Sequence, residues 1–323
     1  MPLINRCGGG GGTPQLCGQV ENFKAGLGNL IVILSWTAPS PDEDNSFVGA
    51  RIVRKIGSAP TGINDGTIVY EGTALTYTDT GLTAGTTYYY RAFAYNAKKK
   101  YQTEYRVVSQ TAMTFNPNFA DNTWDTIVKV CHADSVPDTW VTGDSKTMTI
   151  GGTNYQVDII GKNHDTYTAG GIAPITFQLH TTYATKYALD SGSGIHTWRN
   201  STMRNDTLPA ILAIMPEEVK NGIRAVNKKA YDSVSANIYE VSDKLFLLSA
   251  DEFRDGTAEG AQYEYYKAGN SIIKADIEGN NTMHWTRSFR PNVAGSAWAV
   301  NNTGKITDSG YTSARGIAFA FCF

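Results

Sequence analysis

The sequence predicts an all-β sandwich followed by an α+β domain, with a short glycine-rich arm ahead of both. Three observations lead there. Residues 20–115 read as short β-branched and aromatic runs separated by turn signals, the pattern of a sandwich. Residues 118–323 mix such runs with stretches of helical periodicity. Residues 1–19 contain Cys7-Gly8-Gly9-Gly10-Gly11-Gly12, a tract with no side chains to bury and maximal backbone freedom. A length of 323 residues suits two domains at roughly 100–200 residues each.

Composition narrows the function classes. Apolar residues make up 41% and charged residues 18% of the chain, enough to build packed cores. The formal net charge is −2, and no basic stripe offers itself to nucleic-acid phosphates. The one dense basic run, Lys98-Lys99-Lys100, reads as a solvated hairpin loop. No stretch approaches the ~20 apolar residues of a membrane helix, so no membrane insertion is expected. The N-terminus lacks the basic, apolar and small-residue succession of a signal peptide. The expectation is therefore synthesis in a cytoplasm. Cys7, Cys17, Cys131 and Cys322 form no C-x-x-C pair, which argues against zinc, and no metal or cofactor is expected. Cys7 and Cys17 flank the glycine run and could be bridged, clip neighbouring chains or stay free. Without a secretion signal the free thiol is the default. Cys131 and Cys322 read as small buried hydrophobes.

Taken in order, the arm (1–19) cannot order itself, so another subunit is expected to hold it. In the second region, residues 30–36 form a strong apolar strand that ends before Pro39, because proline cannot donate to the ladder. Residues 50–56, 67–71 and 76–78 are further strands around Gly72. Gly81 to Asn96 then reads as a turn feeding an alternating aromatic strand. Trp36, the Leu82-x-x-Gly85-x-x-Tyr88 corner and Tyr90-x-Ala92-x-Ala94-x-Asn96 resemble a fibronectin type III domain. The corner has a physical reason, since the ring packs in the core while its hydroxyl reaches nearby backbone. The resemblance implies a spacer or interaction module.

In the third region, residues 146–150 and 154–160 read as a hairpin across Gly151-Gly152. Residues 177–181 form another strand. Residues 202–215 read as a helix. Pro216 opens a second, with Glu217 and Glu218 at its N-terminal dipole and an apolar stripe of Val219, Ile223 and Val226. Residues 245–248 form a buried strand, and Ser249-x-x-Glu252 fits a capping box. Residues 285–288, 297–301 and 316–323 return to strands.

Motifs run through this region: Trp198-Arg199-Asn200-Ser201-x-x-Arg204, Asp243-Lys244-Leu245-Phe246-Leu247-Leu248-Ser249-x-x-Glu252, Glu259-Gly260-x-x-Tyr263-x-Tyr265-Tyr266, Trp285-Thr286-Arg287-Ser288, Trp298-x-Val300 and Arg315-Gly316-Ile317. They resemble a phage and bacterial domain of unassigned function with a C-type-lectin-like, formylglycine-generating-enzyme-like fold. The resemblance implies an all-β sandwich plus α+β C-type-lectin-like domain in a bacteriophage structural protein of the tail, baseplate or head decoration. Its partners would be other virion proteins, reached through the arm residues Cys7, Gly8, Gly9, Gly10, Gly11, Gly12 and Cys17. Further copies in a homo-oligomer and a host cell-surface glycan or protein would complete the set.

Individual residues point mostly to structure. Trp285 and Trp298 read as core anchors. Arg287 and Arg315 read as paired with carboxylates such as Glu252 or with loop carbonyls. Ligand-binding candidates are the loop residues Phe289, Arg290, Asn292 and Tyr311, since aromatic and guanidinium groups on loops suit sugar or protein surfaces. The five histidines show no metal-ligand spacing, and neither a Gly-x-Ser-x-Gly elbow nor a phosphate loop occurs. No enzyme is expected. The alternatives are a bacterial surface or secreted binding module, or a cell-wall glycan hydrolase, which needs two facing carboxylates roughly 5–9.5 Å apart.

Overall fold

A computed structural model describes residues 17–39, 46–104, 106–191, 196–232, 237–293 and 295–323. The chain divides into two compact units after Phe115. The arm residues Cys7 and Gly8 to Gly12 lie outside the described residues.

The first unit is a sandwich of two antiparallel sheets. Strands β1 (Glu21–Gly28), β2 (Ile31–Thr37) and β5 (Thr76–Asp79) form one, in the order β1-β2-β5. Strands β3 (Phe47–Ile56), β4 (Thr67–Gly72), β6 (Thr87–Asn96) and β7 (Arg106–Thr111) form the other, in the order β4-β3-β6-β7. Alternating inward residues of both sheets fill the core, Val32, Leu34 and Trp36 from β2 meeting Ile52, Tyr90 and Ala92 from β3 and β6. Trp36 sits edge-on to Phe23 at 6.1 Å and tilted to Tyr70 at 5.6 Å. The expected corner forms: Tyr88 Oη accepts the Thr83 N–H at 3.1 Å. The Lys98-Lys99-Lys100 run lies in the exposed β6–β7 loop.

One boundary needs correction. Cys17, assigned to the arm, is 1% exposed within the sandwich core and carries a free thiol. Gln19 likewise belongs to the sandwich, donating to the carbonyls of Ala92 and Glu104 and accepting the Ala94 N–H.

The second unit is rich in strand with short helices. Its main sheet is antiparallel, in the order β13-β19-β10-β9-β8. The members are β8 (Ser145–Ile150), β9 (Thr153–Lys162), β10 (Ile175–Leu179), β13 (Leu245–Phe246) and β19 (Ala320–Cys322). Gly151 and Gly152 make the β8–β9 turn with φ of 55° and 84°, the pair of positive angles that a two-residue hairpin requires. Helix α1 (Trp124–His132), absent from the sequence reading, is capped by the Thr123 side chain and buries Trp124, Ile127, Val128, Val130 and Cys131. The rings of Phe119, Trp124, Phe177, Phe321 and Phe323 stack and tilt against one another at 5.2–6.3 Å, which seals one side of this sheet.

The remaining elements surround the candidate site. The helix expected at 202–215 is a wide turn, Met203–Thr207, followed by α2 (Leu208–Ala213). Helix α3 (Glu217–Gly222) ends earlier than expected. Ile223 is already extended, and Val226 opens a strand, so the apolar stripe is shared between two elements. That strand, β11 (Val226–Tyr231), pairs with β12 (Ile238–Asp243). After helix α4 (Glu264–Lys267) comes the small hairpin β14 (Lys274–Ala275) and β15 (Asn281–Thr282). Strands β16 (His284–Phe289), β17 (Ser296–Val300) and β18 (Ile306–Gly310) complete the unit as a three-stranded antiparallel sheet.

Candidate functional site: a buried charge network beneath an open cleft

Four ionised side chains from four parts of the second unit meet out of reach of solvent. Asp165 follows β9, Lys228 points inward from β11, Glu252 lies in the single turn Asp251–Phe253, and Arg287 points inward from β16. All are at most 5% exposed. Isolated charges at such depth would be prohibitively costly, so each must be paired and hydrogen-bonded.

The pairing is complete. Arg287 forms a fork with Glu252, Nη1 to Oε2 at 2.5 Å and Nη2 to Oε1 at 2.9 Å. Its other donors go to the carbonyls of Lys229, Leu247 and Glu259 at 2.9, 2.9 and 2.6 Å, so all five guanidinium N–H groups are spent. Lys228 Nζ donates to Asp165 Oδ1, to Glu252 Oε1 at 3.0 Å and to Tyr263 Oη at 2.8 Å. Asp165 Oδ2 accepts hydroxyls from Thr176 at 2.6 Å and Tyr263 at 2.8 Å. The expected capping box closes the set, Ser249 N–H donating to Glu252 Oε2 and Glu252 N–H to Ser249 Oγ.

Electrostatics follow this geometry. Burial pushes the Asp165 carboxyl up, but the Lys228 charge and hydrogen bond, with the Thr176 and Tyr263 hydroxyls, outweigh it and hold Asp165 at about 2. Burial likewise opposes ionisation of Glu252, and Arg287 and Lys228 overcome it, leaving its pKa below the ordinary value. Glu259 goes the other way. Burial raises it to about 7 despite nearby Arg287, the Ser288 hydroxyl and the Tyr231 N–H.

Above this floor opens a cleft of about 500 Å³. Asp165, Lys228, Glu252 and Glu259 form its base, and the exposed rim includes Asn163, Lys229, Glu240, Thr257 and Lys267. Lys229 and Glu240 stand directly opposite each other in the β11–β12 register. Among the described residues, no cluster of three or more His, Cys, Asp or Glu side chains is arranged to hold a metal.

Residues 176–323 match a family model described as a domain of unknown function, DUF6273. Three of the four network residues, all but Asp165, fall inside that stretch. No curated protein matches the chain. Among solved structures, the fibronectin type III domain of human fibronectin type III domain containing protein 3 is 19% identical, covering 35% of this chain and all of that one, with a TM-score of 0.26. A computationally redesigned β-sandwich is 20% identical over 31% of this chain and 93% of its own, with a TM-score of 0.25. The spore cortex lytic enzyme SleM of Clostridium perfringens is 14% identical over 30% of this chain, with a TM-score of 0.24. This chain spans 28% of SleM's length.

The loop residues singled out from sequence all lie in the DUF6273 stretch, but the structure separates them. Phe289 is not a loop residue. It ends β16 and is 1% exposed, because that position faces the interior. Arg290 follows it and faces the other way. Its guanidinium lies 4.9 Å from the centroid of Trp298 and 3.3 Å from Asp308. Trp298, expected as a core anchor, is therefore half-buried, whereas Trp285 is a core residue. Tyr311 stacks on His196 at 4.1 Å and tilts against Phe289 at 6.1 Å. Asn292 is exposed, with a φ of 58°. Residues 307–310, directly ahead of Tyr311, belong to β18. Arg287 pairs with Glu252 as anticipated, while Arg315 donates to the Ser309 hydroxyl at 3.3 Å instead of to a carboxylate.

Sequence reasoning missed Asp165 and Lys228. For Lys228 a signal existed: Val226, Lys228 and Ala230 alternate with exposed or half-exposed neighbours, so a lysine occupies an inward strand position that needs an anionic partner.

Proposed function

We propose that this chain is a non-enzymatic structural or adhesive protein of a bacteriophage particle. The sandwich is the spacer, and the second unit is a C-type-lectin-like α+β domain that recognises a host-surface glycan or protein. The observation that carries the binding reading is the cleft. Its floor consists of charges engaged with one another, which fixes the shape of the wall, and its rim presents exposed groups of both signs together with amide and hydroxyl groups. A preformed polar concavity of this kind suits a hydroxyl-rich or mixed-charge partner. The same engagement leaves the floor carboxyls turned to partners within the fold and not to a substrate in the cleft. Asp165 and Glu252 share one ammonium, and both oxygens of Glu259, the carboxyl nearest to neutrality, are occupied. The virion assignment is supported by the resemblances in sequence and by the glycine tract.

Two measurements test the reading. Proteomics of purified particles should find the chain in stoichiometric amounts, and its absence would overturn the virion assignment. Glycan arrays and whole host cells should capture the full chain, with capture lost in the rim double variant Glu240→Lys, Lys267→Glu. Capture unchanged in that variant would remove the cleft from recognition, and no capture at all would leave decoration of the particle as the role.

A further inference from the structure

The buried network also holds the ingredients of a covalent cross-link. We propose that Lys228 and Asp165 condense within the folded second unit to an intramolecular amide bond, with Glu252 relaying a proton. This inference is independent of what the cleft binds.

Geometry supplies each role. Lys228 Nζ touches Asp165 Oδ1, so the nucleophile is already against the carboxyl it would attack, and holding both reactants in place removes the entropic cost of bringing them together. Asp165 Oδ2 receives two hydroxyls, from Thr176 and Tyr263, aimed where negative charge grows as the carbon becomes tetrahedral. Glu252 Oε1 lies 3.0 Å from Nζ, and Arg287 keeps it a carboxylate able to accept a proton. Phe246 and Tyr263 close over the ammonium, their ring centroids 4.1 and 5.3 Å from Nζ. The side chains of Lys228 and Asp165 are 2% and 4% exposed, so the two reactants meet largely stripped of solvent.

The atoms balance. A proton passes from the Lys228 ammonium to Asp165 Oδ1 across their contact, and the neutral amine attacks Cγ of the neutral carboxyl to form the C–N bond while Glu252 takes a second proton from the nitrogen. The charge on Oδ2 is held by the two hydroxyls. Oδ1 leaves as water, carrying two of the three protons that began on nitrogen, one of them relayed by Glu252. The C–Oδ1 bond breaks, nothing is oxidised or reduced, and Glu252 ends as it began. Charge stays balanced as well: two anions and two cations become the single Glu252–Arg287 pair. The cleft, whose floor includes Asp165, Lys228 and Glu252, gives the water an exit.

The product would tie positions 63 residues apart in sequence. Intact-mass spectrometry of the denatured full chain should give a mass one water short of the sequence. Peptide mapping should give one branched peptide joining the Lys228 and Asp165 segments. Lys228→Arg should return the full mass. Asp165→Asn should lose ammonia instead of water and converge on the same final mass as the wild type. A wild-type chain at full sequence mass would overturn the proposal, as would a water loss with Lys228 and Asp165 found in separate linear peptides. Both readings use only wild-type protein, so they hold even if a variant fails to fold.

Discussion

At the residue scale, the second unit is governed by a few polar side chains placed where apolar ones would be expected. Arg287 is the most heavily engaged of them, and its planar fork cannot be copied by an ammonium. Arg287→Lys keeps the charge but strips most of the donors from Glu252 and from the carbonyls of Lys229, Leu247 and Glu259. It should lower unfolding stability by about 3–5 kcal/mol, the range for breaking a buried pair, as read by chemical denaturation.

Two buried groups also make opposing contributions to pH dependence. Burial, reinforced by the ammonium of Lys274, pushes His284 down to about 3 from its ordinary 6.5. Its stabilising contribution is present above 6.5 and lost as the pH falls toward 3. Glu259 is raised from 4.5 to about 7, so its contribution is complete below 4.5 and lost as the pH rises through 7. Between 4.5 and 6.5 the two slopes cancel, each being about 1.4 kcal/mol per pH unit. Relative to wild type, Glu259→Gln should therefore lose stability as the pH falls through this window, and His284→Phe should gain it. Melting temperatures measured from pH 4.5 to 6.5 would expose the idea as wrong if both variants kept the wild-type slope.

At the element scale, local chemistry decides where strands turn and helices start. Helix α1 depends on Thr123, whose hydroxyl accepts the Thr126 N–H at 3.1 Å. Thr123→Ala should cost about 1 kcal/mol, while Thr123→Ser should restore nearly all of it. In the sandwich, Tyr88→Phe removes only the hydroxyl that satisfies the Thr83 N–H and should cost about 1 kcal/mol without changing the circular dichroism of the fold. Elements with strong local signals were readable from sequence: the Gly151-Gly152 hairpin, the corner at Tyr88, and the Ser249–Glu252 box. Those that were not readable carry misleading signals. Strand β11 hid because Lys228 interrupts its apolar alternation, and α1 hid because its nine residues hold too few turns for periodicity to stand out. Phe289 was mistaken for loop because Arg290, Pro291 and Asn292 follow it directly.

At the scale of the whole molecule, the chain closes two separate cores. The sandwich fills its own interior around Trp36 and Tyr90, and the second unit fills its own around Phe177 and Phe321. Residues 116–323 expressed alone should fold, keep the near-ultraviolet signature of their buried tryptophans and unfold in one cooperative transition. The full chain should show that transition plus the sandwich's own. Loss of cooperative unfolding in the shorter chain would mean that the second unit depends on the first.

What the sequence determined alone is whatever short-range pattern determines: the sandwich strands, the boundary near residue 115, the hairpin glycines, and the need of Arg287 for a carboxylate such as Glu252 or for loop carbonyls. The structure alone decided that Asp165 and Lys228 join Arg287 and Glu252 in a four-charge network, that Cys17 belongs to a core, and that Phe289 and Arg290 serve opposite sides of a strand. Backbone angles and apolar periodicity are written in neighbouring residues, whereas a buried charge gains its partner only when strands distant in sequence are brought together by the packing of everything between them.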